Sequence, residues 1–98
     1  MKEIGHWING KHVKGTSGRS ADVFNPATGE VQARVALATK AELDAATAEA
    51  AKAQVKWGAT NPQKRGRVMM EMVRLINRDM EKLAEALSRE HGKTIPDA

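Results

Sequence analysis

The chain has 98 residues, which is enough for one small domain and excludes a second independent core. Hydrophobic residues make up 41% of the chain and charged residues 29%, a balance typical of a folded protein rather than a disordered tail. With two Trp and one Phe as the aromatic residues, any core must be thin. The absence of cysteine excludes disulfides, thiolate zinc sites and a cysteine nucleophile within these residues.

The net charge of +4 comes from 16 basic and 12 acidic side chains. The densest basic cluster, Lys64, Arg65 and Arg67, is followed closely by Glu71, so the pattern indicates a mixed, solvated helix surface and no nucleic-acid partner. No run of 18 apolar residues and no apolar signal core occur in the sequence, so we expect no membrane contact and a cytoplasmic location.

The first third of the chain predicts two β-hairpins within residues 4–37. The dipeptide Asn9-Gly10 lies between two short apolar segments and is typical of a type I′ turn, which requires positive φ at both residues. Residues 25–30 contain Pro and Gly and predict a second turn. Residues 31–37 then alternate apolar and polar side chains, the pattern of a strand with one buried face.

A first helix is predicted over residues 40–57. Thr39 and Glu42 form a capping box at its start, and Gly58 occupies the place of a left-handed C-cap. Its apolar positions recur at three- and four-residue steps and are mostly alanine, so we expect another element to approach closely. They are Leu43, Ala46, Ala50, Ala53 and Trp57.

A second helix is predicted over residues 61–91, with a bend near Asn77. Thr60 and Gln63 match a second capping box, and Gly92 marks the end of the helix. Its apolar stripe continues for nearly five turns. The residues of the stripe are Met69, Met72, Val73, Ile76, Met80, Leu83 and Leu87.

Together these elements predict an α+β fold class, with N-terminal hairpins followed by two amphipathic helices. Four short strands cannot cover two helical stripes, so we expect the chain to be part of a larger protein or to associate with itself. An alternative is a stand-alone helical interaction module that assembles through its Met/Leu face.

The histidines are the first candidates for chemistry, because imidazole ligates metals and transfers protons near neutral pH. His6 and His12 flank a hairpin turn, and His91 lies at a predicted helix end. No carboxylate stands at a recognisable ligand spacing from any of them. We therefore expect structural or surface roles for all three.

Two glycine-containing segments and the methionines also lack the pattern of a catalytic or ligand-binding site. Residues 15–20 lack the spacing and the strand-to-helix context of a phosphate-binding loop, and Gly92-Lys93-Thr94 follows a helix instead of a strand. Helical spacing makes the methionine stripe an expected packing surface. The sequence thus predicts no catalytic, no cofactor-binding and no metal-binding residue.

Five segments in a fixed order resemble the amino-terminal part of the aldehyde dehydrogenase superfamily. They are Trp7-Ile8-Asn9-Gly10-Lys11-His12-Val13, Phe24-Asn25-Pro26-Ala27-Thr28-Gly29-Glu30-Val31, the alanine-rich helix ending in Trp57, Pro62-Gln63-Lys64-Arg65-Gly66-Arg67, and Glu90-His91-Gly92-Lys93-Thr94. Residues 25–33 and 89–94 are most similar to the methylmalonate-semialdehyde dehydrogenase branch of that family.

The resemblance implies a segment that packs beside a Rossmann-like NAD-binding domain. It also implies, for the whole enzyme, an NAD-dependent oxidation of a semialdehyde through a cysteine thioester that coenzyme A resolves, as in valine and inositol breakdown. The family's catalytic and cofactor-binding residues match no position here, so we expect this chain alone to be inactive and to bind neither cofactor. The expected partners are further copies of the chain or the remainder of the same polypeptide.

Overall fold

The computed structural model describes all residues, Met1–Ala98, as five strands followed by three helices. The strands are β1 (Lys2–Ile4), β2 (His6–Ile8), β3 (Lys11–Val13), β4 (Ser20–Phe24) and β5 (Val31–Ala36). The helices are α1 (Lys40–Ala59), α2 (Pro62–Arg78) and α3 (Met80–His91), and a single 3-10 turn follows at Ile95–Asp97. The predicted α+β order of hairpins and then helices is confirmed.

The strands form two separate small sheets. β2 and β3 make an antiparallel hairpin, and β4 and β5 make the second one, so both predicted hairpins are present. β5 is also paired on its other side with β1, in parallel, with Lys2 opposite Ala33. β1 was not predicted, because a three-residue strand shows no alternation and its partner lies about thirty residues further along the chain.

The β2–β3 turn has the backbone conformation that its sequence predicts. Asn9 and Gly10 have φ of 53° and 75°, the left-handed values of a type I′ turn. The same region of φ is reached at Gly29 in the β4–β5 turn, with φ of 79°. Asn and Gly tolerate this conformation at little steric cost, so local sequence alone specifies both turns.

Helix α1 begins at the predicted capping box but ends later than predicted. The Glu42 amide donates to Thr39 Oγ1 and the Thr39 amide donates to Glu42 Oε1, both at 3.0 Å. The expectation of a left-handed cap at Gly58 was wrong, since the helix continues to Ala59. Thr60, in extended conformation, ends it and donates its amide to the carbonyl of Lys56. Gly58 is part of the helix, because no residue before Thr60 leaves the helical conformation.

The second predicted helix is two helices. Asp79 lies between α2 and α3 with φ −104° and ψ 19°, outside the helical region, two residues from the predicted bend. The capping residue of α2 is Asn61 and not Thr60, because Asn61 Oδ1 accepts the Lys64 amide at 2.9 Å. At the far end Gly92 has φ 90° and caps α3 as predicted.

The fold has almost no hydrophobic core. Ala33 on β5 and Ala84 on α3 are the two buried residues. The sheet is joined to α3 by the side chain of Gln32, whose amide donates to the Arg89 carbonyl at 2.9 Å. The radius of gyration is 17.0 Å, against about 13 Å for a compact chain of this length. The accessible surface is 7994 Å², against about 5,500 Å² for a compact monomer of this mass. The fold is therefore open, and its apolar surfaces lack a covering layer.

We expect Asn61→Ala to lower the free energy of unfolding by about 1 kcal/mol, because it removes the side-chain acceptor for an amide in the first turn of α2. Gln63→Ala is the matched control, since the Gln63 side chain makes no hydrogen bond and Ala favours the helix. Urea unfolding followed by circular dichroism measures both. Equal losses in the two variants would show that Asn61 does not cap the helix.

Candidate functional site

The most closely connected polar group in the fold is the carboxylate of Glu42, in the first turn of α1. Besides its part in the capping box, Glu42 Oε2 accepts the Thr16 amide at 3.3 Å and lies 4.0 Å from His6 Nε2. The side chains of His6 and Glu42 are 17% and 16% exposed. One carboxylate therefore joins the β2 strand, the loop after β3 and the start of α1.

Backbone hydrogen bonds set the electrostatics of this junction. The amide of Thr39, followed by that of Thr16, stabilises the ionised carboxylate and lowers the pKa of Glu42 below its ordinary value, while partial burial opposes the shift. His6 Nε2 is hidden from solvent and has no hydrogen-bond partner. The arrangement can hold segments together, but it contains no nucleophile and no third ligand for a metal.

The loop after β3 packs tightly against His6. Gly15 has φ 83°, and a Cβ atom on it would lie 2.9 Å from His6 Nε2. The same loop is tied to the β5–α1 connection, because Ser17 Oγ donates to the Leu37 carbonyl and Arg19 Nη2 donates to the Ala38 carbonyl at 2.9 Å. Residues 15–20 thus act as a structural loop whose polar groups bind backbone.

The other candidate residues do not come together. His12 lies exposed on β3, and His91 lies exposed in the last turn of α3. No cluster of three His, Asp or Glu side chains is placed to hold a metal ion. In the Gly92-Lys93-Thr94 segment, the glycine caps α3 and Thr94 Oγ1 bonds to Asp97 Oδ2 at 2.9 Å. Its likeness to a phosphate-binding sequence has no counterpart in the fold.

The methionine stripe is not a core within this chain. Its residues, Met69, Met72, Val73, Ile76, Met80, Leu83 and Leu87, are between 36% and 57% exposed. Pairs of opposite charge lie beside it: Arg74 binds Glu71 through Nε at 3.0 Å, and Arg78 Nη2 lies 2.8 Å from Asp79 Oδ2. None of the helices combines the length and apolar character that a bilayer span requires. The stripe is therefore an apolar surface that no other part of this chain covers.

An open groove of about 630 Å³ lies between the β2–β3 turn and the second half of α1. It is lined by Asn9, Glu49, Lys52, Ala53, Lys56, Trp57 and Thr60. Strand β2 lies beside the first turns of α1, where it shares a shallow depression with Leu43 and Ala46. No element packs extensively on α1, so the expected close neighbour is not supplied along the rest of its alanine face. Sequence reasoning missed this groove and the His6–Glu42 contact, because both depend on how the hairpin is placed against the helix.

Comparison with known proteins identifies the class to which this structure belongs. Residues 12–98 match the model of the aldehyde dehydrogenase family, and the chain belongs to that family. Among curated relatives, methylmalonate-semialdehyde/malonate-semialdehyde dehydrogenase [acylating], mitochondrial, of Homo sapiens is 40% identical over 94% of this chain. Malonate-semialdehyde dehydrogenase of Pseudomonas aeruginosa is 41% identical over all of it.

A solved structure gives the same result in three dimensions. The protein described as methylmalonate-semialdehyde dehydrogenase from Sinorhizobium meliloti 1021, complexed with NAD, superimposes on 99% of this chain with a TM-score of 0.90 and 64% sequence identity. The matched regions make up 20% of that chain, 20% of the Pseudomonas protein and 17% of the human one. The chain thus spans about a fifth of the length of the relatives that it matches. The predicted resemblance is confirmed.

We expect Gly15→Ala to destabilise the fold more than Gly18→Ala does. Both glycines have positive φ, so both variants incur a backbone cost of about 1 kcal/mol. Only at residue 15 would the new methyl group also collide with His6, since the space beside Gly18 is open. Chemical unfolding of the two variants measures the difference, and equal destabilisation would mean that His6 is not held against the loop.

We expect Glu42→Gln to lower stability at neutral pH and to have less effect in acid. The folded-state pKa of Glu42 is depressed, so its contribution is complete above the ordinary carboxylate value of 4.5 and is lost as the pH falls through the lower folded-state value. Unfolding of both proteins between pH 7 and pH 3 measures the gap between them.

Glu49→Gln is the control for the preceding experiment, because it removes a carboxylate from the same helix that accepts no backbone hydrogen bond. A gap between wild type and Glu42→Gln that stays constant through the acid range would contradict a stabilising role for the ionised carboxylate.

Proposed function

We propose that this chain functions as the framing segment of an NAD-dependent, CoA-acylating methylmalonate- or malonate-semialdehyde dehydrogenase. In that reaction a semialdehyde is oxidised through a cysteine thioester and released as an acyl-CoA. The observation that supports the proposal is the likeness of the whole chain to relatives and a solved structure bearing these names. A cytoplasmic location is part of the same proposal.

The catalytic groups of the proposed reaction are supplied outside these 98 residues. The chain contains no cysteine to form a thioester. Its residues also do not fit a dinucleotide, because β5 leads into α1 without a glycine turn and the first turn of α1 is already occupied by the Thr39–Glu42 capping box. We therefore assign no catalytic, NAD-binding or CoA-binding residue to this chain.

The chain contributes packing surfaces to the enzyme and no catalytic group. It presents two unpartnered apolar surfaces, the alanine face of α1 and the stripe on α2 and α3. We infer that these surfaces are covered by the same enzyme, either by the remainder of one polypeptide or by a further subunit. Hydrophobic surface of this extent is rarely left open on soluble monomers.

We expect the isolated chain to show no oxidation of malonate semialdehyde or methylmalonate semialdehyde with NAD and coenzyme A. Substituted for the matching fifth of the Pseudomonas aeruginosa enzyme, it should support NADH formation that depends on both cofactors. The first result follows from the missing thiol, and the second from the shared fold. Absorbance of NADH measures both.

The chimera is compared with a version carrying Ile76→Asp, which places a charge in the stripe and should abolish activity by preventing assembly. Turnover by the pure isolated chain, or an inactive chimera that is nevertheless folded and assembled, would refute the proposed function.

A further inference from the structure

The Asn9-Gly10 turn holds next to each other the two groups through which an asparagine loses its side-chain amide. In that reaction the backbone nitrogen of the following residue attacks Cγ of the asparagine, a succinimide ring closes, and ammonia leaves. Water then opens the ring at either carbonyl and gives aspartate or isoaspartate. The overall change consumes water and releases ammonia, so it needs neither an oxidant nor a catalytic group.

Both reacting groups are free at this turn. The Gly10 amide donates no hydrogen bond, because the β2–β3 ladder ends at the Ile8–Lys11 pair and leaves the two turn residues out. The Asn9 side chain is exposed and makes no hydrogen bond either. A Cβ atom on Gly10 would have nothing within 4 Å, so no neighbouring atom obstructs the attacking nitrogen.

The other three asparagines lack this combination. Asn25 and Asn61 precede prolines, whose backbone nitrogens carry no proton and cannot close the ring. Their side-chain oxygens also accept backbone amides at 2.9 Å. Asn77 lies inside α2, where the next amide belongs to the helical hydrogen-bond ladder. Asn9 is therefore the asparagine that this fold leaves reactive.

Ring closure requires the turn to open, and the hairpin resists this opening only weakly. β2 and β3 have three residues each and no third strand, and two-stranded hairpins are at best marginally stable. Asn9 has φ of 53°, a left-handed conformation that costs free energy in any residue other than glycine. Local opening of such a segment requires far less free energy than unfolding of the whole chain.

We propose that Asn9 is a site of spontaneous modification, converted by water into aspartate and isoaspartate while the rest of the chain stays folded. The new carboxylate lies in the groove that Lys52 and Lys56 line, and it lowers the net charge of +4 by one. The reacting groups belong to adjacent residues, so the inference does not depend on what covers the apolar surfaces of the chain.

The isoaspartate product also changes the hairpin. Its backbone runs through the side chain of residue 9 and lengthens a two-residue turn, so Ile8 and Lys11 lose their register. The hairpin carries His6 to its position 4.0 Å from Glu42, so the modification loosens that contact.

Incubation of the 98-residue chain at mildly alkaline pH, followed by peptide mapping with mass spectrometry, tests the proposal. We expect NH2 to be replaced by OH at Asn9 about tenfold faster than at Asn77 or more, with release of ammonia. The rate should rise with pH, because the attacking species is the deprotonated Gly10 amide. Asn9→Gly is the blank, since Gly-Gly also forms a type I′ turn but has no side-chain amide.

His91→Asn is the matched control, because it creates a second Asn-Gly sequence in the same chain. Gly92 also has positive φ, but its amide donates to the Ser88 carbonyl at 2.8 Å. In this variant we expect the reaction at residue 9 to be about tenfold faster than at residue 91 in the folded chain, and within about twofold of it in urea.

Asn9→Asp separates the two products. Asp-Gly is also a type I′ sequence, so this variant should keep the β2–β3 pairing, whereas a chain enriched in isoaspartate should lose hydrogen-exchange protection there. The proposal is overturned if Asn9 reacts no faster than Asn77, or if residues 9 and 91 of the control react equally fast in the folded chain. Intact β2–β3 pairing in the isoaspartate form would overturn the effect on the hairpin.

Discussion

Backbone pairing to β5 is the interaction on which the rest of this fold depends. β5 bonds to β4 on one side and to β1 on the other, and its Gln32 side chain reaches the last turn of α3. Ala33, in the middle of β5, is one of the two buried residues. Hydrogen bonds between main-chain groups contribute only about 1 kcal/mol each in net terms, so they define the arrangement of the elements without supplying the burial that stabilises a typical domain.

Membership in the aldehyde dehydrogenase family gives a context for this open structure. The chain spans about a fifth of the length of the relatives that it matches. Within that fifth, polar side chains bind backbone groups: Glu42 joins three segments, and Arg19 and Ser17 fasten a loop. These residues hold the loops and the start of α1 in place, while the apolar stripe and the alanine face of α1 are available for packing against other elements.

Features specified within a few residues were predictable from sequence. The Asn9-Gly10 turn, the Thr39–Glu42 box and the Gly92 cap each depend on near neighbours and appear as expected. The errors arose where two local signals competed: Thr60 and Asn61 are both good caps, and Gly58 resembles a helix end although nothing stops the helix there. β1 and the His6–Glu42 contact depend on distant partners, so local sequence carries no sign of them.

The parallel pairing of β1 with β5 has a consequence for the order of folding. Both hairpins and all three helices close short loops, which takes microseconds or less, whereas β1 must wait until a strand about thirty residues away is in place. β1 is also only three residues long and lies at the edge of its sheet. β1 is therefore among the last of these elements to become ordered, and it completes the sheet on a structure that is otherwise already formed.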